Sequence, residues 1–345
     1  MRRWFRAVAA FAAVSVLALA AGCSSSTPGS TSDDETSGDP VTLTLYTDQH
    51  AALIQQLTDA YTKQTGAQFR VQQDATVGQI EAEGAASPAD LFLSEDPGPV
   101  ARLGADGLLE PIDKATLDQV VPGLSSGKDL WVAYAARSRV LFYNPGLISE
   151  SQLPTSLLAV PEPQYKGKLA WAPSGAFVAT TQYLLSTLGK ERTRQWLEGV
   201  KANGVNEQSN GNVRDTVEAG RHAFGLSNHY YWWIKADEVG GPDKMTSKIY
   251  HFPQEDPGNL LLSSGAGVLK SSKQQHAAAD FVRWLTSADG GQQVIAKGTQ
   301  YPVAVGTKSD VVGSVTDVAS PPYDMDVMAH VEEAEDLLKQ LGMSG

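Results

Sequence analysis

From Val41 onward, the apolar and polar positions of this chain change period repeatedly. Val41-Thr42-Leu43-Thr44-Leu45-Tyr46 alternates with a period of two, the pattern of a strand with one buried face. Leu53, Leu57 and Tyr61 then recur at helical spacing, and Gly66 supplies a stop. Phe69 to Gln73 predicts a second strand, Gln79 to Glu83 a short helix, and Asp90-Leu91-Phe92-Leu93 a compact apolar strand. The same succession returns with a strand at Lys168 to Ala172, a helix at Phe177 to Leu188, a strand at Ala223 to Leu226 and a helix from Tyr230 onward. Strands alternating with helices predict α/β layers with largely parallel sheets. The chain has 345 residues and no repeat of fixed period, which suits two α/β lobes, each with its own core, around a cleft. Ligands of such sheets bind beyond the carboxyl ends of the strands.

The first 40 residues follow a different logic. Arg2, Arg3 and Arg6 precede an uncharged, mostly apolar run from Ala7 to Ala21, and Leu19-Ala20-Ala21-Gly22-Cys23 follows. That run is too short to span a bilayer and fits an export signal over residues 1–22. Small residues before Cys23 are similar to a bacterial lipobox, with the large apolar residue four positions before the cysteine rather than three. Cys23 is therefore the expected lipidated N-terminus. Residues 23–40 are rich in Ser, Thr and acids and lack large apolar side chains, so they are expected to form a disordered tether.

Charge and cysteine content narrow the function. Setting aside the three leader arginines leaves 24 basic against 39 acidic residues, a net −15 that argues against nucleic acid as partner. One cysteine excludes an intrachain disulfide and any multi-cysteine metal site. There is no Gly-x-Ser-x-Gly, no His-Glu-x-x-His and no thiol nucleophile beyond Cys23, so a hydrolase is disfavoured and no catalytic residue is expected.

Four strand ends carry candidate chemistry. The first ends in Thr47-Asp48-Gln49-His50, the second in Ser94-Glu95-Asp96, and the third in Asn228-His229-Tyr230-Tyr231-Trp232. Taken singly, each has an ordinary explanation as a capping, dipole-facing or core residue. At the fourth, Trp171-Ala172-Pro173 leads into Ser174-Gly175-Ala176-Phe177 and an apolar helix. Ser174 is a good N-cap and Gly175 allows close approach to the backbone, which serves an anion site or plain helix capping equally well.

Taken together, these stretches resemble the ferric-ion-binding proteins of bacterial ABC importers, a transferrin-like group of periplasmic binding proteins. The resemblance runs from Val41 nearly to Gly345. It is carried by Tyr46 with Gln49-His50, Ser87-Pro88-Ala89-Asp90 with Ser94-Glu95, Arg137-Ser138-Arg139-Val140, Ser174-Gly175-Ala176-Phe177 and Tyr230-Tyr231-Trp232. Asp256-Pro257-Gly258, Ser264-Gly265-Ala266, Val268-Leu269-Lys270 and Tyr301-Pro302 continue it in order. It implies an α/β two-lobe periplasmic-binding-protein fold of type II character with a hinged cleft. The expected lobes are 41–136 plus 263–308 and 137–262 plus 309–345.

The resemblance further implies that His50, Glu95, Tyr230 and Tyr231 hold Fe(III). It places a synergistic anion, phosphate or carbonate, at Ser174, Gly175 and Ala176 with Asn210 and Asn228. An arginine near the position of Arg137 supports carbonate in some relatives. Thr47-Asp48 and His229 depart from the family pattern, and His229 is a possible extra ligand. The implied protein is a monomeric, lipid-anchored extracytoplasmic receptor that delivers iron to an ABC permease and its ATPase. An organic or oxyanion cargo such as thiamine, a polyamine or phosphate is the alternative.

The chemistry is consistent with iron. A hard cation favours oxygen donors, and it allows tyrosines of ordinary pKa near 10 to bind as phenolates. Two phenolates and one carboxylate cancel Fe³⁺, and four protein donors leave two octahedral positions. Adjacent residues on a regular helix diverge by about 100°, so Tyr230 and Tyr231 are expected at an irregular strand-to-helix turn.

Overall fold

The period-two segment at the start of the folded chain becomes strand β1 (Thr42–Thr47), with Leu43 and Leu45 fully buried. The computed structural model describes residues 40–345, so the signal segment, Cys23 and the tether as far as Asp39 lie outside the described residues. Helix α1 (Ala51–Thr65) buries Ile54, Leu57 and Tyr61 and ends at Gly66, whose φ of 81° is the left-handed conformation that favours glycine. There follow β2 (Gln68–Gln72), α2 (Val77–Glu83), β3 (Leu91–Ser94), α3 (Pro97–Ala105) and the single turn α4 (Lys114–Leu117). A long strand, β4 (Val132–Tyr143), then leads to β5 (Leu169–Trp171), α5 (Gly175–Leu188), α6 (Lys190–Asn203) and β6 (Gly204–Asn206). The remainder comprises α7 (Asn210–Glu218), β7 (Phe224–Asn228), α8 (His229–Glu238), β8 (Lys248–Tyr250), β9 (Leu261–Val268), α9 (Gln275–Thr286), α10 (Gly291–Ile295) and α11 (Glu332–Gln340).

The strands join in the order β2-β1-β3-β9-β4-β7-β5-β6, with β8 added beside β4. β1 runs parallel to β2 and β3, and β5 parallel to β6 and β7, as alternating strands and helices predict. The expectation of largely parallel sheets needs correction in the middle. β9 is antiparallel to both β3 and β4, and β4 is antiparallel to β7 and β8. These central strands are buried along their whole length, so they carry no two-residue alternation to reveal them.

Two principal hydrophobic cores flank this centre. One gathers Leu43, Leu45, Phe92, Trp131 and Phe281; the other gathers Leu141, Leu169, Phe177, Trp196 and Leu337. β4 serves both: Val132 to Ala136 pack in the first core, Leu141 and Tyr143 in the second. Its pairing changes with them, from β9 up to Ser138 to β7 from Arg139 onward. The architecture is the α/β two-lobe periplasmic-binding-protein fold.

Candidate functional site

The loop after β1 is fixed by a closed set of polar contacts. Thr47 Oγ1 donates to the carbonyl of Leu93 (2.7 Å) and accepts the amide of Gln49 (3.0 Å). Gln49, 1% exposed, donates through Nε2 to Tyr134 Oη (3.0 Å) and Ser264 Oγ (3.3 Å), while its Oε1 accepts the His50 amide (2.9 Å). These bonds satisfy a buried amide and hold His50 at the start of α1 with its ring exposed.

Glu95, just past β3, is gripped through its backbone. Its N–H donates to Asp48 Oδ1 (2.7 Å), and its carbonyl accepts from Ser264 Oγ (2.9 Å) and from Nη1 of Arg137. The carboxylate is left to face His50, with Oε1 3.5 Å from Nε2. Burial pushes the Asp48 carboxyl up to about 6; its bond from the Glu95 amide opposes the shift, and the nearby charges of Asp96 and Glu95 add to it.

The two tyrosines lie within the first turn of α8, which corrects the expectation of an irregular turn. Their rings nevertheless stack, with centroids 4.3 Å apart and planes at 28°. Trp232 anchors the helix by donating Nε1 to the carbonyl of Ser247 (3.1 Å). Tyr230 is buried, and with His50, Leu53, Ile234 and Thr299 it lines a cavity of about 330 Å³. Burial raises the Tyr230 phenol well above its ordinary value, Tyr231 and Glu95 raise it further, and Arg137 opposes them. His229 turns away: fully buried, it stacks on Tyr301 (4.3 Å, 21°), and its Nδ1 accepts the amide of Ser138 (3.1 Å). Burial pushes this imidazole down to about 3, so it stays neutral.

The residues expected around an anion are disposed as follows. Ser174 caps α5 by accepting the Phe177 amide (3.3 Å), and Ala176 packs in the second core. Asn210 opens α7, buried, with its Oδ1 unpartnered. The Asn210 carbonyl accepts from Ser227 Oγ (3.5 Å), which ties the start of α7 to the end of β7. Asn228 Oδ1 accepts from Nη1 of Arg139 (2.7 Å). Burial lowers the Arg139 guanidinium to about 10, with Tyr230 opposing and Arg137 reinforcing the shift. Gly175 is approached by Asp96, whose Oδ2 lies 3.1 Å from where a Cβ would stand; the other carboxylate oxygen pairs with Nη2 of Arg137.

Sequence reasoning included Asp48, Asp96 and Arg139 in its candidate stretches but gave them no role in this region. Asp96 adjoins Glu95 and Arg139 lies two residues from Arg137, so proximity to the named residues was the available signal. Among the described residues, no three His, Cys, Asp or Glu side chains form a metal-holding group. Hard oxygen donors with one imidazole suit a small, highly charged cation.

Residues 46–292 match the family described as bacterial extracellular solute-binding protein. The Fe(3+)-binding periplasmic protein of Serratia marcescens is 37% identical over 268 residues, covering 76% of this chain and 79% of that protein. The major ferric iron-binding protein of Neisseria meningitidis serogroup A is 34% identical over 310 residues, 87% of this chain and 93% of its own. The crystal structure of iron-bound HitA from Pseudomonas aeruginosa aligns with a TM-score of 0.80 at 34% identity, covering 88% of this chain and all of that one. On this similarity the chain belongs to the bacterial ferric-ion-binding periplasmic proteins, transferrin-like substrate-binding proteins of ABC import that carry a cargo and catalyse no reaction.

Proposed function

We propose that this protein captures Fe(III) outside the cytoplasmic membrane and delivers it to an ABC permease with its ATPase. His50 Nε2, a Glu95 carboxylate oxygen and the phenolates of Tyr230 and Tyr231 are the donors. A synergistic oxyanion, phosphate or carbonate, completes the coordination from the α5 N-terminus at Ser174, Gly175 and Ala176, assisted by Asn210, Asn228 and Arg137. The observation that carries this reading is the convergence of two loops and a helix: His50 faces Glu95 at 3.5 Å, and both His50 and Tyr230 line one cavity. The proposed lobes are 41–136 plus 263–308 and 137–262 plus 309–345, with Val315, Met325 and Ala329 of the last stretch reaching into the first core, and they close over the metal by a hinge motion.

The decisive experiment is elemental analysis and a visible spectrum of the protein as purified, then after chelation and ferric reconstitution with defined anions. A ferric-phenolate band with one iron per chain is the expected result; a colourless, iron-free product under every anion would overturn the reading. We further propose that Cys23 carries the lipid that anchors the receptor. Cys23→Ala should move the protein from the detergent phase to the aqueous phase on partitioning, and unchanged partitioning would refute the anchor.

A further inference from the structure

We infer that Asp96 is a resident competitor for the anion subsite, pairing with Arg137 beside the α5 N-terminus until an incoming oxyanion displaces it. The inference rests on the reading of Ser174 to Ala176 as that subsite. Asp96 lies just past β3, and its carboxylate sits between Arg137 of β4 and Gly175 at the start of α5. One oxygen pairs with Nη2 of Arg137, a side chain only 2% exposed. The other lies 3.1 Å from where a Cβ on Gly175 would stand, so a side chain at 175 would crowd the carboxylate. The first turn of α5 contains no acid of its own. Its Gly175 and Ala176 amides belong to the unsatisfied end of the helix, where negative charge is favoured.

The surroundings hold more polar capacity than Asp96 uses. Nε of Arg137 and Nε of Arg139 are buried without partners, and both side chains are at least nine-tenths buried. Such buried donors are costly unless an acceptor meets them. The charge balance shows what kind of ligand. Iron is neutralised by two phenolates and Glu95, so the anion answers to the remaining groups. Arg137 and Arg139 supply two positive charges and Asp96 removes one. Asp48, bonded to the Glu95 amide, lowers the balance further. A phosphate dianion therefore meets too little positive charge and must also displace a carboxylate. Without the Asp96 charge, both arginines answer the phosphate.

The test is binding of inorganic phosphate to the iron-free protein by calorimetry, alongside ferric reconstitution followed by the visible band. Asp96→Asn keeps an oxygen for Arg137 and removes the charge; Asp96→Ser provides a second variant should the first fold poorly. Asp118→Asn, at an exposed acid just past α4 that pairs with Lys114, controls for net charge. The expected result is phosphate affinity at least tenfold tighter in either Asp96 variant and unchanged in the control. Affinity unchanged or weaker in both Asp96 variants overturns the inference, and so does an equal gain in the control. If the ferric band forms while phosphate affinity is unmoved, only this inference falls. If phosphate affinity rises while no ferric band forms, the competitor role stands and the iron reading falls.

Discussion

The rings of Tyr230 and Tyr231 stack at 4.3 Å although the two residues are consecutive in one helix. Tyr→Phe at either position keeps the ring and removes one oxygen, so packing should change little. Under the ferric reading, each single variant loses a phenolate and should bind iron at least a hundredfold more weakly, with a reduced visible band. The double variant should lose the band altogether. His50→Ala and Glu95→Ala should weaken binding by tenfold or more but keep the colour, since neither supplies a phenolate. An intact band in the double Phe variant would sink the site assignment.

Iron loading should release protons. Burial, with the charges of Tyr231 and Glu95, holds the Tyr230 phenol protonated well above neutral pH. A bound trivalent cation reverses that balance. Two phenol protons leaving per iron imply that apparent affinity falls about a hundredfold for each unit of pH lowered near neutrality. A pH-stat titration with a ferric chelate of known protonation counts them directly. No release beyond that of the chelate would mean that neutral phenols, or other groups, hold the metal.

Glu218 should contribute pH-dependent stability behind the site. It ends α7, where the helix dipole disfavours an acid, yet it accepts the amides of Thr246 (2.7 Å) and Ser247 (2.9 Å) as well as the Ser247 hydroxyl. Burial pulls its pKa up, but these hydrogen bonds outweigh it and the net shift is downward. A carboxyl lowered in the folded state adds stability that is complete above its unfolded pKa and disappears as pH falls through the folded value. Glu218→Gln should cost about 2 kcal/mol at pH 7, the scale of hydrogen bonds to a charged group, and should flatten this acid limb. Urea midpoints between pH 3 and 7 measure both effects. Because Ser247 also receives the indole N–H of Trp232, the variant should loosen α8 and lower iron affinity modestly.

Local structure was legible where sequence periodicity has a single physical cause. Leu53, Leu57 and Tyr61 with Gly66 marked α1, and the alternation at Val41 to Tyr46 marked β1, because each has one buried face and a clear stop. β4 was hidden because all twelve of its residues are buried and the strand contains Arg137 and Arg139, which look like surface residues in a linear reading. His50, Glu95, Tyr230 and Tyr231 could be named from strand ends and family resemblance. The pairing of Arg137 with Asp96 could not, since it joins residues 41 positions apart through a sheet order that the pattern does not encode. The helix from Tyr230 onward was legible, but the irregular turn expected at the tyrosines was not found: the divergence of neighbouring helical positions describes Cβ directions, whereas long aromatic side chains can swing their rings back into contact.

The sharing of β4 between two cores has a thermodynamic consequence. Twelve buried residues span about 40 Å at a strand's rise, and each half of that length lends its side chains to a different core. The halves share one uninterrupted backbone, because the pairing passes directly from β9 to β7 at Ser138 and Arg139, so fraying that starts in either half runs straight into the other. Chains with two cores often unfold in two steps, one domain at a time. Here the iron-free protein should instead give one calorimetric transition, with calorimetric and van't Hoff enthalpies in agreement. In that case a core substitution such as Phe281→Ala in the first core, or Phe177→Ala in the second, lowers the same single melting temperature, so that damage on one side of the cleft is felt equally on the other.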